Sequence, residues 1–260
     1  MTTLDSEQGA VQRETEHRSK QPRPTSSESK FQKTPLNPIR RSIAENMVKS
    51  SSTIPDAWTM IEVDVSGLVR RREELKETFQ VKNNISLTYL PFVANAVAKS
   101  LKENPILNSS WDEDSIILKE EINIGIAVAT PSGLLVPVIH QADTLNISEL
   151  ARKSSDLATR AREGTLNIGD IQGGTFTLNN TGALGSVLSK PIINHPQAAI
   201  MTTEAIVRRP VILNDGISIR HMMNICVSFD HRIMDGFEVS QFTSSVKNLL
   251  ENIGRYPPVD

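Results

Sequence analysis

Two periods alternate along this chain, and each change of period marks the edge of an element. Ile39, Ile43 and Met47 recur at helical spacing in "TPLNPIRRSIAENMVKS". Asn37 is placed to cap and Pro38 takes the first helical position, so a short amphipathic helix is predicted there. "AWTMIEVDV" alternates and reads as a strand. A helix follows over "SGLVRRREELKETF" with Leu68, Leu75 and Phe79 inward, then a more buried one over "LPFVANAVAKSLKEN". "INIGIAVAT", the turn "PSG" and "LLVPVI" predict a hairpin. A capping box of Asn146 and Glu149 opens a helix that carries Leu150, Leu157 and Ala161 to a closing Gly164. "GTFTLNN", "QAAIMTT" and a pair joined by the Asn-Asp-Gly turn at 214–216 read as strands, the last ending "HMMNICVSF". A final helix turns Phe242, Val246, Leu249 and Leu250 inward. Strands and helices neither alternate strictly nor segregate, which predicts an α/β unit with a mixed sheet and helices on one or both faces.

Before Pro35 the large apolar residues are Met1, Leu4, Val11 and Phe31, and the rest is Ser, Thr, Gln, Pro and charge of both signs. Such a stretch buries too little surface to offset its ordering entropy. Residues 1–34 are therefore expected to be a disordered tail or linker, and 35–260 one globular domain. A formal charge of -2 leaves no electrostatic footprint for nucleic acid, and no apolar run approaches the ~20 residues of a membrane span. Neither partner is expected. The single cysteine, Cys226, excludes an internal disulfide framework and fits a reducing compartment. With no secretory or transit character in "MTTLDSEQGA", the expected location is cytoplasmic.

The chemistry gathers in "ICVSFDHRIMDG". There the strand period runs out at Phe229 and His231 follows at the strand's end, where side chains tend to face crevices. A free imidazole, with pKa about 6.5, can accept a proton from a thiol of pKa about 8.5. Asp235 can orient that imidazole, cap the next helix or anchor the loop to an arginine, and Gly236 suggests a close backbone approach. On spacing alone a satisfied structural histidine is the favoured reading. Arg40 and Arg41, in the first turn of the first helix, have the wrong sign for the helix dipole. They are either solvated or partners of an acid elsewhere. Cys226, inside an alternating strand, reads as a small buried hydrophobe. His17, His140, His195 and His221 read as surface or core residues, and no spacing among the five histidines suits a metal.

"SFDHRIMDG" resembles the D-H-R-x-x-D-G signature of the dihydrolipoamide acyltransferase catalytic domains of 2-oxo acid dehydrogenase complexes. That family shares H-x-x-x-D-G with chloramphenicol acetyltransferase. The resemblance extends from about Pro35 onward through "IRRSIAENM", "EVDVSGL", "REELK", "LPFV", "PILNSS", "NIGIAVATPSGLLVPVI", "GGTFTLNNTG" and "PQAAI", in the family's order. The branched-chain branch is the nearest. The resemblance implies a two-layer, chloramphenicol-acetyltransferase-like mixed sheet and a homotrimer or a larger cage of trimers, with sites between subunits. Its lipoyl domain and dehydrogenase-complex partners would be separate.

The implied chemistry is acyl transfer between a lipoyl dithiol and coenzyme A, with His231 as the base and the substrate as the nucleophile. Asn179 stands where many relatives have the serine that stabilises the oxyanion. Asn180 and Thr181 are alternative donors, or all three simply close the strand. Arg72 and Thr88 fall on positions resembling the family's coenzyme A contacts, with Asn180 as a further candidate, against a bland reading as a solvated arginine and a cap. "PD" at 55–56 replaces the family's Pro-His, so a contact carried by that histidine is absent. Nothing in residues 1–34 resembles a lipoyl or peripheral-subunit-binding domain, so the chain is expected to be a trimmed piece or a stand-alone relative served by a lipoyl arm in trans. Three functions compete: a lipoyl- and CoA-dependent acyltransferase, a structural core without turnover, and an acyltransferase on a small non-lipoyl acceptor. The acyl group is set by pocket shape, which the sequence does not state.

Overall fold

The computed structural model describes residues 34–254, so the expected tail falls almost wholly outside the described residues. Helix α1 (Pro38–Thr53) begins where the Asn37 side chain accepts the Arg40 N–H at 2.7 Å. Its apolar stripe is thinly covered: Ile43 and Met47 are half-buried, Ile39 and Val48 exposed. Strand β1 (Asp56–Asp64), helix α2 (Ser66–Asn83) and helix α3 (Leu90–Glu103) follow. α2 runs a turn beyond its predicted end and stops at Asn84, whose backbone is left-handed at φ 55°. Leu68 is fully buried as predicted, but Leu75, Phe79 and Leu249 are only half-buried. These three line a cavity of about 830 Å³ between α2, α3 and the end of the chain's last helix.

A hairpin that the pattern did not announce comes next, β2 (Ser109–Asp112) with β3 (Ser115–Leu118). The predicted hairpin over 122–139 forms, but in two pieces. β4 (Ile124–Ile126) pairs with β7 (Val138–Ile139) in the main sheet, whereas β5 (Val128–Thr130) and β6 (Gly133–Leu135) make a separate ribbon. Pro137 has no N–H to donate, so the ladder cannot pass through it, and Ala127 gives its own N–H to Leu178 at 3.1 Å. The capping box of α4 (Ile147–Glu163) is complete, with Asn146 and Glu149 exchanging N–H and side-chain oxygen at 2.9 Å each, and Gly164 closes the helix at φ 71°.

β8 (Phe176–Asn180), β9 (Ala199–Thr203), β10 (Val207–Leu213), β11 (Gly216–Asp230) and α5 (Gly236–Glu251) complete the chain. Asn214 and Asp215 both adopt the positive φ that a tight β10–β11 hairpin turn needs. The main sheet has the order β1-β11-β9-β8-β4-β7, with β10 on β11, and it is mixed because β8 runs parallel to both β4 and β9. β11 organises it. Residues 222–230 pair with β1 on one edge and residues 225–229 with β9 on the other, while residues 216–221 pair with β10 alone. The β10–β11 ribbon therefore projects with a free edge, exposing Ile212, Ile217 and Ile219.

Alternation separates two faces of these strands. Met223, Ile225, Val227 and Phe229 join Phe176, Leu178 and Met201 in one core with the inner residues of α2 to α5, Leu68, Val97, Leu150 and Phe242 among them. The opposite face carries Thr177, Thr202, Asn224, Cys226 and Ser228, and the segment leading into β9 covers it. Asn224 donates to the Val187 carbonyl at 2.8 Å, Thr177 to Gln197 at 2.6 Å, and Ile193 packs with Ile200. Cys226 is fully buried as expected, and burial pushes its thiol pKa up. Among the described residues no helix is long and apolar enough to cross a membrane.

Candidate active site

Beyond β11 the chain is pinned on both sides of His231. The Asp230 carboxylate, 1% exposed, accepts from the Arg232 guanidinium at 2.6 and 3.0 Å and from the Arg232 N–H at 3.0 Å. This pairing raises the Arg232 pKa above its usual value, and the guanidinium stacks 5.0 Å from the Trp111 ring on the β2–β3 hairpin. Ile233 and Met234 are buried anchors. The His231 N–H is taken by the Pro55 carbonyl at 3.1 Å, and its ring projects half-exposed, with Nδ1 3.3 Å from Asp235 Oδ1. Asp235 also occupies the cap position of α5, where its N–H donates to the Glu238 carboxylate at 3.0 Å. Of the three roles open to Asp235, two are therefore realised in geometry. Neither Arg40 nor Arg41 pairs with it among the described residues. A neutral imidazole that keeps its proton on Nδ1, facing Asp235, presents the Nε2 lone pair outward as a proton acceptor.

Asn179 lies elsewhere. It pairs with Thr202 of β9, which pairs with Cys226 of β11, so this row sits five residues before His231 along β11 and two strands to the side. At ~3.3 Å per residue and ~4.8 Å between strands, about 19 Å separates Asn179 from His231 within one chain. One tetrahedral intermediate cannot touch both. The Asn179 side chain is half-buried and makes no hydrogen bond among the described residues. Asn180 is exposed, and its side-chain oxygen accepts the Ala183 N–H at 3.2 Å. Thr181 donates its hydroxyl to the carboxylate of Glu204 at 2.7 Å. Glu204, with Ser189 and Thr202 around it, was not anticipated. Its only signal in the sequence is a glutamate directly after the apolar strand "AAIMTT".

Arg72 and Thr88 do come together, at the loop between α2 and α3. Arg72 is already engaged: Nε donates to the Leu87 carbonyl at 2.9 Å, the guanidinium lies 5.5 Å from the Tyr89 ring, and it pairs with Glu73. Thr88 is exposed with its hydroxyl unpartnered among the described residues. Asp56, in the place of the family's histidine, pairs with Lys190 at 2.8 Å. The His195 imidazole is held below the usual histidine range by burial and by the charges of Lys49 and Arg232. His140 is an ordinary partner of the Gly169 carbonyl at 3.0 Å.

Comparison with known proteins identifies the family and the fold. The family described as 2-oxoacid dehydrogenases acyltransferase (catalytic domain) matches residues 28–256. The lipoamide acyltransferase component of the branched-chain alpha-keto acid dehydrogenase complex of Bacillus subtilis is 49% identical over 220 residues, covering 84% of this chain and 52% of that protein. The chain thus spans about half the length of the curated relatives it matches. A solved probable dihydrolipoamide acetyltransferase from Listeria monocytogenes superposes with a TM-score of 0.87 at 48% identity, covering 88% of this chain and 98% of its own. The Azotobacter vinelandii dihydrolipoamide acetyltransferase superposes at 0.84 and 31% identity, over 89% and 97% of the two chains, and there a serine, a histidine and an asparagine have been studied for their role in catalysis. The cubic core of a pyruvate dehydrogenase multienzyme complex matches as well, at 0.84. Chloramphenicol acetyltransferase, at 16% identity and 0.51, shares the fold.

Proposed function

Because the chain belongs to the family of 2-oxoacid dehydrogenase acyltransferase catalytic domains, we propose that it moves an acyl group between a dihydrolipoyl thiol and coenzyme A. The observation that carries this reading is His231 itself, an outward imidazole with Nδ1 against Asp235 and both chain neighbours pinned. Nε2 takes the proton of the attacking thiol, and the sulfur adds to the thioester carbonyl carbon. The tetrahedral intermediate then expels the other sulfur as a thiolate, which recovers the proton from His231. General-base help of this kind contributes ~10²–10⁴-fold.

Asn179 is the donor to the oxyanion in this scheme. Thr181 has committed its one proton to Glu204, and Asn180 is exposed at the turn, whereas the Asn179 amide is unspent. Spacing supports the choice. Asn179 precedes His231 by 52 residues and Asp235 follows it by four, the spacings of the serine, histidine and asparagine in the Azotobacter enzyme. In the same reading Thr88 and Asn180 contact coenzyme A, and Arg72 braces the loop that carries Thr88 through the Leu87 carbonyl. The lipoyl group arrives on a separate domain, in a 2-oxo acid dehydrogenase complex or in trans. A cytoplasmic setting fits a reaction of free thiols.

The distance between His231 and Asn179 requires a second copy, so we place each site between subunits of a trimer, the His231 loop of one facing the Asn179 turn of the next. The projecting β10–β11 ribbon and the bare stripe of α1 offer apolar surface for that contact. The 830 Å³ cavity, which Gly254 helps to line, is a candidate contact for building trimers into a cage. We assign that contact to the C-terminal segment "ENIGRYPPVD", which lies mainly outside the described residues. Free dihydrolipoamide assayed with acetyl-, isobutyryl- and isovaleryl-CoA tests the reaction, with sizing of the same samples. Transfer that tracks the oligomer supports the proposal; an assembled protein inactive with all three would point to a structural core.

A further inference from the structure

Glu204 is 2% exposed and has no ion-pair partner among the described residues. Its charge is held by hydroxyls from three separate segments: Oε1 accepts from Ser189 at 2.6 Å and Thr202 at 2.7 Å, Oε2 from Thr181 at 2.7 Å. Burial alone would raise its pKa, but the hydroxyls of Ser189, Ser186, Thr181 and Thr202 together hold it below the usual carboxylate value. A buried carboxylate served only by neutral donors contributes little net stability to a fold. What it does supply is direction, because each donor must point at it.

The segment it grips has little else to hold it. Ala183, Leu184 and Gly185 are exposed, Leu184 at 85%, so the turn after β8 has almost no apolar anchor. Two further contacts tie the same turn to the same place. The Ala205 N–H donates to the Ser186 carbonyl at 2.7 Å, and Gly182 lies so close to the Glu204–Ala205 peptide that a Cβ there would come within 2.3 Å of it. Only glycine fits that approach. The turn is thus stapled to the end of β9 by one carboxylate and one backbone bond, two residues after Asn179.

We propose that Glu204 is a positioning residue for acyl transfer: by binding the Thr181 hydroxyl it fixes the turn that aims the Asn179 amide at the oxyanion. This rests on Asn179 being the donor. Thr181→Val, which removes one hydrogen bond and little volume, should lower kcat about tenfold with KM for coenzyme A unchanged within about twofold, well inside the ~10²-fold that a misplacement of about 1 Å costs. Thr181→Ser, which keeps the hydroxyl, should recover most of the loss. Introduced into Asn179→Ala, Thr181→Val should cost nothing more, because the clamp then has no amide to aim. Glu204→Gln should give the same kinetic pattern, and thermal unfolding shows whether it folds; if it does not, Thr181→Val decides. A fully additive loss in the Asn179→Ala background, or normal kcat in both Thr181→Val and Glu204→Gln while Asn179→Ala is slow, would overturn the positioning role. A silent Asn179→Ala would instead overturn the donor assignment beneath it.

Discussion

His231 at the end of β11 is held by Asp230, Arg232 and Asp235, all within four positions of it, whereas the Asn179 turn at the end of β8 is held by Glu204, twenty-five positions from Asn179, whose carboxylate Ser189 also binds. The ion pairs of the first hold are local and partly open to solvent, with remote support from the Pro55 carbonyl and the Trp111 ring; the second is assembled from remote segments and sealed. A local clamp travels with its own stretch of sequence and can be recognised there. A remote clamp exists only once β8, β9 and the loop between them have packed, so its residues carry no mark until then. The two ends also differ in what they hold. Among the described residues His231 has a carboxylate against its ring, and Asn179 has an amide with no hydrogen-bond partner.

The strongest way to break this comparison is His231→Ala. The side chain is half-exposed and meets the Phe229 ring at 5.5 Å on its inner side, so the fold should survive, and transfer should fall by ~10²–10⁴-fold in a dihydrolipoamide assay with circular dichroism as the control. Normal turnover would remove the histidine end from the chemistry.

Mixing sharpens it. If each site takes His231 from one copy and Asn179 from another, co-refolding His231→Ala with Asn179→Ala should rebuild intact sites in roughly a quarter of the interfaces of a random symmetric oligomer. Activity that stays at the sum of the two variants would show that the halves do not meet across subunits.

The histidine end can also be tested through stability. Arg232→Ala leaves the buried Asp230 carboxylate with only a backbone donor, and unfolding in urea should show a loss of about 2 kcal/mol, below the ~3–5 kcal/mol of a fully buried pair because the guanidinium is partly exposed. The same substitution should slow transfer by loosening the His231 loop. Stability equal to wild type would mean that the pair is not what pins it.

The smallest effect concerns pH at the amide end. A carboxyl whose pKa is lowered on folding contributes stability above its unfolded value, about 4.3, and loses that contribution as pH falls through the lower folded value. Glu204 is such a group. Urea midpoints of the wild type should therefore fall more steeply between about pH 5 and about pH 3 than those of Glu204→Gln. Parallel curves would show that the buried carboxylate is not ionised in the way its hydroxyl donors suggest.

Most of the elements were legible because their causes are local. The Asn146–Glu149 capping box, the Asn-Asp-Gly turn and the alternation through "NICVSF" each act within a few residues, and each appears where the pattern puts it. The D-H-R-x-x-D-G run was legible for the same reason, since Asp230, His231, Arg232 and Asp235 contact one another within one turn of chain. The misses had non-local causes. β2–β3 forms because Trp111 finds Arg232 and Ser110 bridges to Gln197, partners more than eighty residues on. The hairpin over 122–139 splits because Ala127 is drawn to Leu178.

Sequence alone determined most of the strands and helices, that Cys226 would be buried, and that one histidine stands at a strand's end beside an acid, since period, capping and turn chemistry act over one or two turns of chain. Tertiary structure alone decided that Thr181 spends its proton on Glu204, that Asn179 does not, and that Asn179 and His231 lie too far apart to share a substrate within one chain. These are facts of register and burial. Strand order and pairing arise from long-range contacts across the whole sheet, and no short stretch of sequence contains them.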